Sequence, residues 1–249
     1  MPKTLIVTSF NHQLYTEYAH RFLDTYRGEL DLCIVSEDIL PEMRNIKNLR
    51  LRAHENFVKT NRWRPVNSYK QDAVRFCYKP YAIWTAMQYI SDPDAEDYTG
   101  LLWLDADTVF HKAITESWVQ EHIATEGIMS YMGRVNNHSE CGVLYFNMEH
   151  AYRNVYINKV IELYNTNEIY ELPETHDSYV WDWVRERMIK MARAYGRGLG
   201  HTRFRNLSEH IAERVPGGHI QCVLFGEYFD HLKGKRKQLG KSPENRYAG

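Results

Sequence analysis

The chain has 249 residues, 43% of them hydrophobic and 13% aromatic, and a formal net charge of −1. It can therefore bury a sizeable core, and no global field drives it onto nucleic acid or an anionic membrane. Cys33, Cys77, Cys141 and Cys222 make no C-x-x-C pair, which argues against structural zinc or a disulfide framework, and no apolar run approaches the roughly 20 residues of a spanning helix.

The cysteines read as reduced core thiols. Leu5-Ile6-Val7 is too short an apolar stretch for a signal peptide, so a cytoplasmic location without a membrane span is expected. The six Trp and eighteen Tyr are a surplus that tyrosine-rich cores explain first and sugar or base stacking second.

Thr4 to Phe10 is β-branched and apolar, a first strand, followed by Asn11-His12-Gln13 and a helical pattern to about Tyr26. Leu30 to Ser36 is a second strand. A β-α-β opening predicts a parallel sheet with a ligand crevice at its strand ends. Thr8, Ser9, Asn11 and Tyr15 then become candidates for holding a base and ribose. No G-x-G-x-x-G or Walker-type loop is present, which disfavours a dinucleotide or P-loop cradle.

Asn48 to Arg52 is a weak third strand, and the polar stretch from His54 to Gln71 is expected to be a mobile or substrate-covering loop. A helical pattern runs from Asp72 to Ile90. Pro80 splits or kinks it at Lys79-Pro80, since proline cannot donate an intrahelical hydrogen bond, and a kink there exposes Lys79.

Leu101-Leu102-Trp103-Leu104 reads as a buried strand that ends in Asp105-Ala106-Asp107. In extended backbone residues two apart point the same way, so both carboxylates are expected to face the crevice. Hard oxygen donors of this kind suit Mg²⁺ or Mn²⁺ shared with a substrate diphosphate. Two other meanings stand beside this one: a solvated turn, and the strand-Asp-x-Asp opening of haloacid-dehalogenase-type phosphatases.

Downstream, Ile114 to Thr125 reads as a surface helix, Ile128 to Met132 as a strand, Gly133 to Glu140 as a polar loop and Cys141 to Asn147 as a strongly apolar strand. Met148 to Tyr164 is amphipathic. A helix over Tyr179 to Met191 starts at His176-Asp177-Ser178, where Asp177 can simply cap it. Glycines from Gly196 to Gly218 divide the remainder into short pieces. The last strand is Ile220 to Leu224 or Tyr228 to His231, and Lys233 to Lys241 is a basic run that usually means a solvated tail.

Taken in order, these pieces resemble the glycogenin-like retaining glycosyltransferases, family 8 of the GT-A fold. Asn11 to Tyr15 is similar to the family's uridine turn, and Lys79-Pro80-Tyr81-Ala82-Ile83-Trp84 to the lysine and Trp-containing helix that precede Asp-x-Asp. Glu140-Cys141-Gly142-Val143 stands where the family has Asn-Ser-Gly-Val, and His176-Asp177-Ser178 where it has an Asp-Gln pair. Arg205-Asn206-Leu207-Ser208 resembles a Tyr-Asn-x-Ser-like segment. His231-Leu232-Lys233-Gly234-Lys235-Arg236-Lys237 fits the closing His-x-x-Gly-x-x-Lys residue for residue. The likeness spans roughly residues 4 to 240. Glu140 and Ser178 depart from the family, and no Pro-Trp follows Lys237.

The resemblance implies one GT-A domain over 1–249, a Rossmann-like mixed sheet flanked by helices, with a basic tail over about 233–249. It implies Mn²⁺ or Mg²⁺ on Asp105, Asp107 and His231, and a nucleotide-sugar donor, UDP-sugar first, held also by Ala106, Gly234, Lys237 and Lys79. Asp177, Glu140 and Lys79 are the expected catalytic residues, with Asp177 and Glu140 near the sugar. The implied reaction moves a sugar to a hydroxyl with retention. The acceptor is a glycan or lipopolysaccharide, or, given the basic tail with Arg62, Arg64 and Arg203-Phe204-Arg205, a hydroxylated base in modified DNA. The rival classes are the phosphatase and a non-catalytic nucleotide-sugar-binding protein.

Overall fold

The structure is a computed structural model and describes residues 1–38, 46–134, 136–194, 203–208, 212–214, 220–232 and 237. Its centre is β1 (Thr4–Thr8), whose five residues are all buried. Parallel to it run β2 (Asp31–Ser36) on one side and β4 (Gly100–Leu104) on the other, with β3 (Ile46–Arg50) outside β2. Beyond β4 the sheet continues antiparallel through β7 (Asn137–Asn147) and β6 (Met129–Arg134), and β8 (Phe204–Asn206) lies parallel to β6. The seven strands thus stand in the order β3-β2-β1-β4-β7-β6-β8, the mixed sheet flanked by helices that was expected.

Alternation along the strands sorts the core onto two faces. Leu5, Val7, Cys33, Val35, Leu101 and Trp103 pack with the helices α5 (Tyr78–Ile90), α7 (Arg153–Asn165) and α8 (Asp177–Ala194). Ile6, Leu32, Leu102 and Leu104 pack on the other face with Phe22 of α2 (His20–Thr25) and Trp118 of α6 (Glu116–His122). Cys33, Cys77 and Cys141 are free buried thiols.

The chain leaves β1 toward β2 and β3, then returns to β4 on the opposite side. Strand order therefore reverses between β1 and β4, and a crevice opens at their carboxyl ends. Ser9 and Asn11 come from one lip of that crevice and Asp105 from the other.

Several local expectations need correction. His54 to Gln71 is not a loop: it holds α3 (Glu55–Asn61), whose Phe57 is buried against Tyr164 at 5.2 Å between ring centroids. The polarity of that stretch hid a single apolar anchor. The helical run after Asp72 is two helices, α4 (Ala73–Phe76) and α5, divided at Cys77. Pro80 falls in the first turn of α5, where a missing N–H costs no intrahelical bond. Lys79 is consequently turned inward, with a side chain only 14% exposed, and not exposed by a kink. Gly133 to Glu140 is mostly strand, because β6 and β7 extend past the core as a hairpin in which Asn136 takes a left-handed φ of 61°. Both candidates for the last strand exist: β10 (Ile220–Cys222) pairs with β9 (Ala212–Arg214), and after α9 (Val223–Tyr228) comes β11 (Phe229–His231).

Candidate active site

Asp105 and Asp107 do not lie on one extended strand. Thr108 N–H donates to the Asp105 carbonyl at 3.0 Å, which folds Asp105-Ala106-Asp107 into a turn between β4 and β5 (Thr108–Phe110). Convergence comes from β11, which pairs antiparallel with β5 and sets His231 opposite Thr108. Leu232 N–H then donates to the Asp107 carbonyl at 2.9 Å. The His231 Nε2 atom lies 2.9 Å from Asp107 Oδ1 and 3.4 Å from Asp105 Oδ2. Two carboxylates and an imidazole thus offer ligand atoms within 4.8 Å of one another.

Lysines flank this group. Lys79 Nζ lies 2.8 Å from Asp105 Oδ1 and 2.7 Å from Asp177 Oδ2, and donates to the Cys141 carbonyl at 2.9 Å. Lys237 Nζ lies 3.0 Å from Asp107 Oδ2 and 4.1 Å from the centre of the Tyr18 ring. Burial alone would push the Asp105 carboxyl up, but Lys79 and His231 outweigh it and hold it far below the usual range. The same opposition lowers Asp107, with His231 the largest favourable influence. For Lys79, burial pulls down while Asp105 and Asp177 raise it well above an ordinary lysine. At neutral pH Asp105, Asp107 and Lys79 are therefore all ionised, and strongly shifted groups of this kind are common at functional sites.

Asp177 serves two purposes at once. Its Oδ1 accepts from the adjacent Ser178 N–H at 2.9 Å in the first turn of α8, while Oδ2 holds Lys79. Glu140 sits elsewhere than expected: it is buried behind His231, with Oε1 3.7 Å from Nδ1 and accepting from Gly142 N–H at 3.1 Å. It stands on the protein side of the imidazole and does not line the cavity.

That cavity, about 440 Å³, opens beside the acids and is lined by Ser9, Asn11, Tyr18, Glu37, Arg75, Phe76, Tyr78, Lys79, Trp103, Asp105, Ala106, Asp107, Asp177 and Lys237, among others. Its size is ordinary for a small-molecule site. Of the expected base-binding residues, Ser9 and Asn11 line it. Asn11 is already engaged, capping Leu14 N–H through Oδ1 at 2.9 Å and donating through Nδ2 to Glu37 at 2.9 Å. Thr8 is fully buried in β1, and Tyr15 stacks on Phe10 with ring centroids 5.9 Å apart, outside the lining. Tyr18, one helical turn further on, takes the place facing the cavity. Asn206 does not reach the cavity either; its Oδ1 ties β8 to Gly133 N–H at 2.9 Å and to Ser208 Oγ at 2.7 Å. Gly234 and most of the basic tail lie outside the described residues.

Sequence patterns missed Tyr18, Glu37, Arg75 and Trp103. Trp103 is buried in the core, as its apolar run implies, and its Nε1 also donates to Asp105 Oδ1 at 2.7 Å. The signal for that bond was present, since Trp103 and Asp105 are two apart at a strand end and share a face.

No protein-family model and no curated protein matches the chain. Among solved structures it is similar to the galactosyltransferase LgtC in complex with donor and acceptor sugar analogues, at 11% identity and a TM-score of 0.43, over 71% of this chain and 69% of that one. It is also similar to mouse xyloside xylosyltransferase 1 in its apo form, at 11% identity and a TM-score of 0.44, over 83% and 85%. For the glycosyltransferase GlyE of Streptococcus pneumoniae TIGR4 the values are 14% and 0.43, over 80% and 51%.

Proposed function

We propose that the chain is a metal-dependent glycosyltransferase that moves a sugar from a nucleoside-diphosphate donor, a UDP-sugar first, to a hydroxyl acceptor. One observation carries this reading: Asp105, Asp107 and His231, from separate parts of the chain, converge at one end of a cavity that lysines bound on both sides.

The donor set fits a divalent cation. Two anionic oxygens and an imidazole nitrogen suit Mn²⁺ or Mg²⁺, ions that leave further positions for phosphate oxygens and water. Asp105, Asp107 and His231 would hold it, and when bound it supplies charge neutralisation for the departing diphosphate. Behind the imidazole, Glu140 faces Nδ1 and keeps Nε2 turned to the acids, as carboxylates behind metal-binding histidines commonly do.

The chain's own groups account for the rest of the proposal. Lys237, braced over Tyr18, presents a fixed positive charge where diphosphate oxygens would lie, and a preorganised cation there favours charge growing on the leaving group. Lys79 bridges Asp105 and Asp177 and holds the Asp105 carboxyl low. Asp177, which also lines the cavity, is the group assigned to the sugar, either through its hydroxyls or by facing positive charge at the anomeric carbon. Ser9, Asn11 and Tyr18 form the nucleoside end. Retention is taken from the family resemblance. Glycans are the favoured acceptor class, since the net charge of −1 gives no general attraction to DNA.

The phosphatase alternative needs an aspartate oxygen free to attack phosphorus. Asp105 has Oδ1 engaged by Trp103 and Lys79 and Oδ2 facing His231, which speaks against it.

A donor screen by thermal shift tests the proposal, comparing UDP-sugars with other nucleotide sugars, with and without Mn²⁺. Stabilisation by a UDP-sugar that needs Mn²⁺ and disappears in Asp107→Ala is expected. Binding that is indifferent to EDTA would remove the metal from the mechanism.

A further inference from the structure

Outside the residues that line the cavity, a second group of ligand-bearing side chains meets: His138, Glu174 and His176, the last adjoining Asp177 in sequence. His138 comes from the exposed end of β7, and the other two from the segment that leads into α8. Both imidazole Nε2 atoms face a single oxygen, Glu174 Oε2, at 2.7 Å from His176 and 3.3 Å from His138. The other carboxylate oxygen is taken by Lys70 Nζ at 2.8 Å, which fixes the carboxylate's orientation and leaves Oε2 for the histidines.

Two of the three ligand spacings lie near those around a tetrahedral ion, and all three ligand atoms lie within 4.8 Å of one another. With bonds of about 2.0–2.1 Å to nitrogen and oxygen, neighbouring ligand atoms around Zn²⁺ stand roughly 3.3 Å apart. The His138 to Glu174 separation already has that value, and the His176 to Glu174 contact would have to open by ~0.6 Å. The surroundings hold the group in place. Thr175 N–H donates to the Lys70 carbonyl at 2.7 Å, and the Tyr179 ring lies 5.0 Å from that of His138. The Phe76 ring lies 6.1 Å from that of His176 and also lines the cavity. Behind His138, Nδ1 faces Asp182 Oδ2 at 3.9 Å, and that oxygen accepts from Ser139 N–H at 2.8 Å, an outer carboxylate of the kind that orients metal-bound imidazole.

We propose that His138, Glu174 and His176 form a second metal site, selective for Zn²⁺, with a fourth position open to water or an incoming ligand. Two imidazoles and one carboxylate are a zinc donor set, softer than the acid-rich group at Asp105 and Asp107. An ion here ties the β6–β7 hairpin to the residue preceding Asp177. The inference stands whether or not the chain transfers sugar.

The test uses the full chain carrying Asp105→Asn and Asp107→Asn, so that the first centre does not compete. Zn²⁺ is titrated against a chromogenic chelator, and Co²⁺ is substituted to report geometry by its visible absorption. One equivalent of Zn²⁺ is expected, with Co²⁺ giving the strong bands of a four-coordinate site. Adding His138→Ala, a change on a partly exposed hairpin, or Glu174→Gln should weaken Zn²⁺ at least tenfold and abolish those bands, with the thermal melt of metal-free protein confirming that each variant is folded. Loss of all Zn²⁺ binding on the two Asp changes alone would assign the metal to the first centre and overturn the proposal. So would a Zn²⁺ affinity unmoved by His138→Ala.

Discussion

A Cβ atom placed on Gly142 would overlap Nδ1 and Cε1 of His231 and lie 3.2 Å from its Cγ. The Nδ1–Cε1 edge of the imidazole therefore lies against the backbone of β7 at Gly142, and the bare Cα is what lets Nε2 reach Asp107. Gly142→Ala should still fold, at a cost of about 1–3 kcal/mol for overpacking. The displaced ring should weaken Mn²⁺ binding at least tenfold, read by electron paramagnetic resonance titration. Undiminished Mn²⁺ affinity would mean that the imidazole is no part of the first centre.

Lys79 is the shared counter-charge of buried Asp177 and half-buried Asp105. Lys79→Met keeps the volume and removes the charge, leaving Asp177 without its cation and Asp105 with only His231 and Trp103, which should destabilise the fold by about 3–5 kcal/mol. Guanidinium unfolding measures it. Adding Asp177→Asn removes one of the two stranded charges, so part of the loss should return; no recovery would show that Lys79 acts through packing alone.

Lys237 contacts Asp107 from the side where a diphosphate would sit. Hydrogen bonds to charged groups contribute about 1.5–3 kcal/mol, so Lys237→Ala should weaken UDP by roughly 10- to 100-fold. UMP, lacking the second phosphate, should lose much less. Calorimetric titration of both ligands decides it, and equal losses would place the lysine away from the diphosphate.

Stability should fall as pH drops below neutrality, and His54 is one cause. It is buried, and burial holds its imidazole below the ordinary 6.5, although Glu37 at 3.6 Å pulls the other way. Its folded pKa lies below its unfolded one, so between the two the unfolded chain binds the extra proton and gains population as pH falls. His176, lowered chiefly by burial, has the same sign. Below about 3.8 the depressed carboxyls of Asp105 and Asp107 add a further loss. Melting temperatures between pH 7 and pH 5 should decline for the native chain and decline less for His54→Gln. An identical slope in the two would remove His54 from the account.

Much of the architecture was legible along the chain. Leu5-Ile6-Val7, Leu32 to Val35 and Leu101 to Leu104 announce buried parallel strands, because a strand covered on both faces needs apolar side chains at consecutive positions. The acids after Leu104 and the polar residues after β1 mark strand ends for the same local reason. Where local pattern failed, a single residue marks the reason: buried Phe57 anchors a polar stretch as helix, and exposed Asn136, in the left-handed region, turns a supposed loop into a hairpin.

Residue types and their order along the chain were enough to propose the chemistry, since two acids at a strand end, a later histidine and a later lysine are legible without coordinates. Only the folded arrangement decided who meets whom. The pairing of β11 with β5 brings His231 to Asp107, the placement of Pro80 in the first turn of α5 turns Lys79 inward, and the hairpin carries Glu140 behind the imidazole and His138 toward Glu174. Periodicity records which side of its own element a residue occupies, whereas contact between distant residues depends on strand order and register, which no single segment encodes.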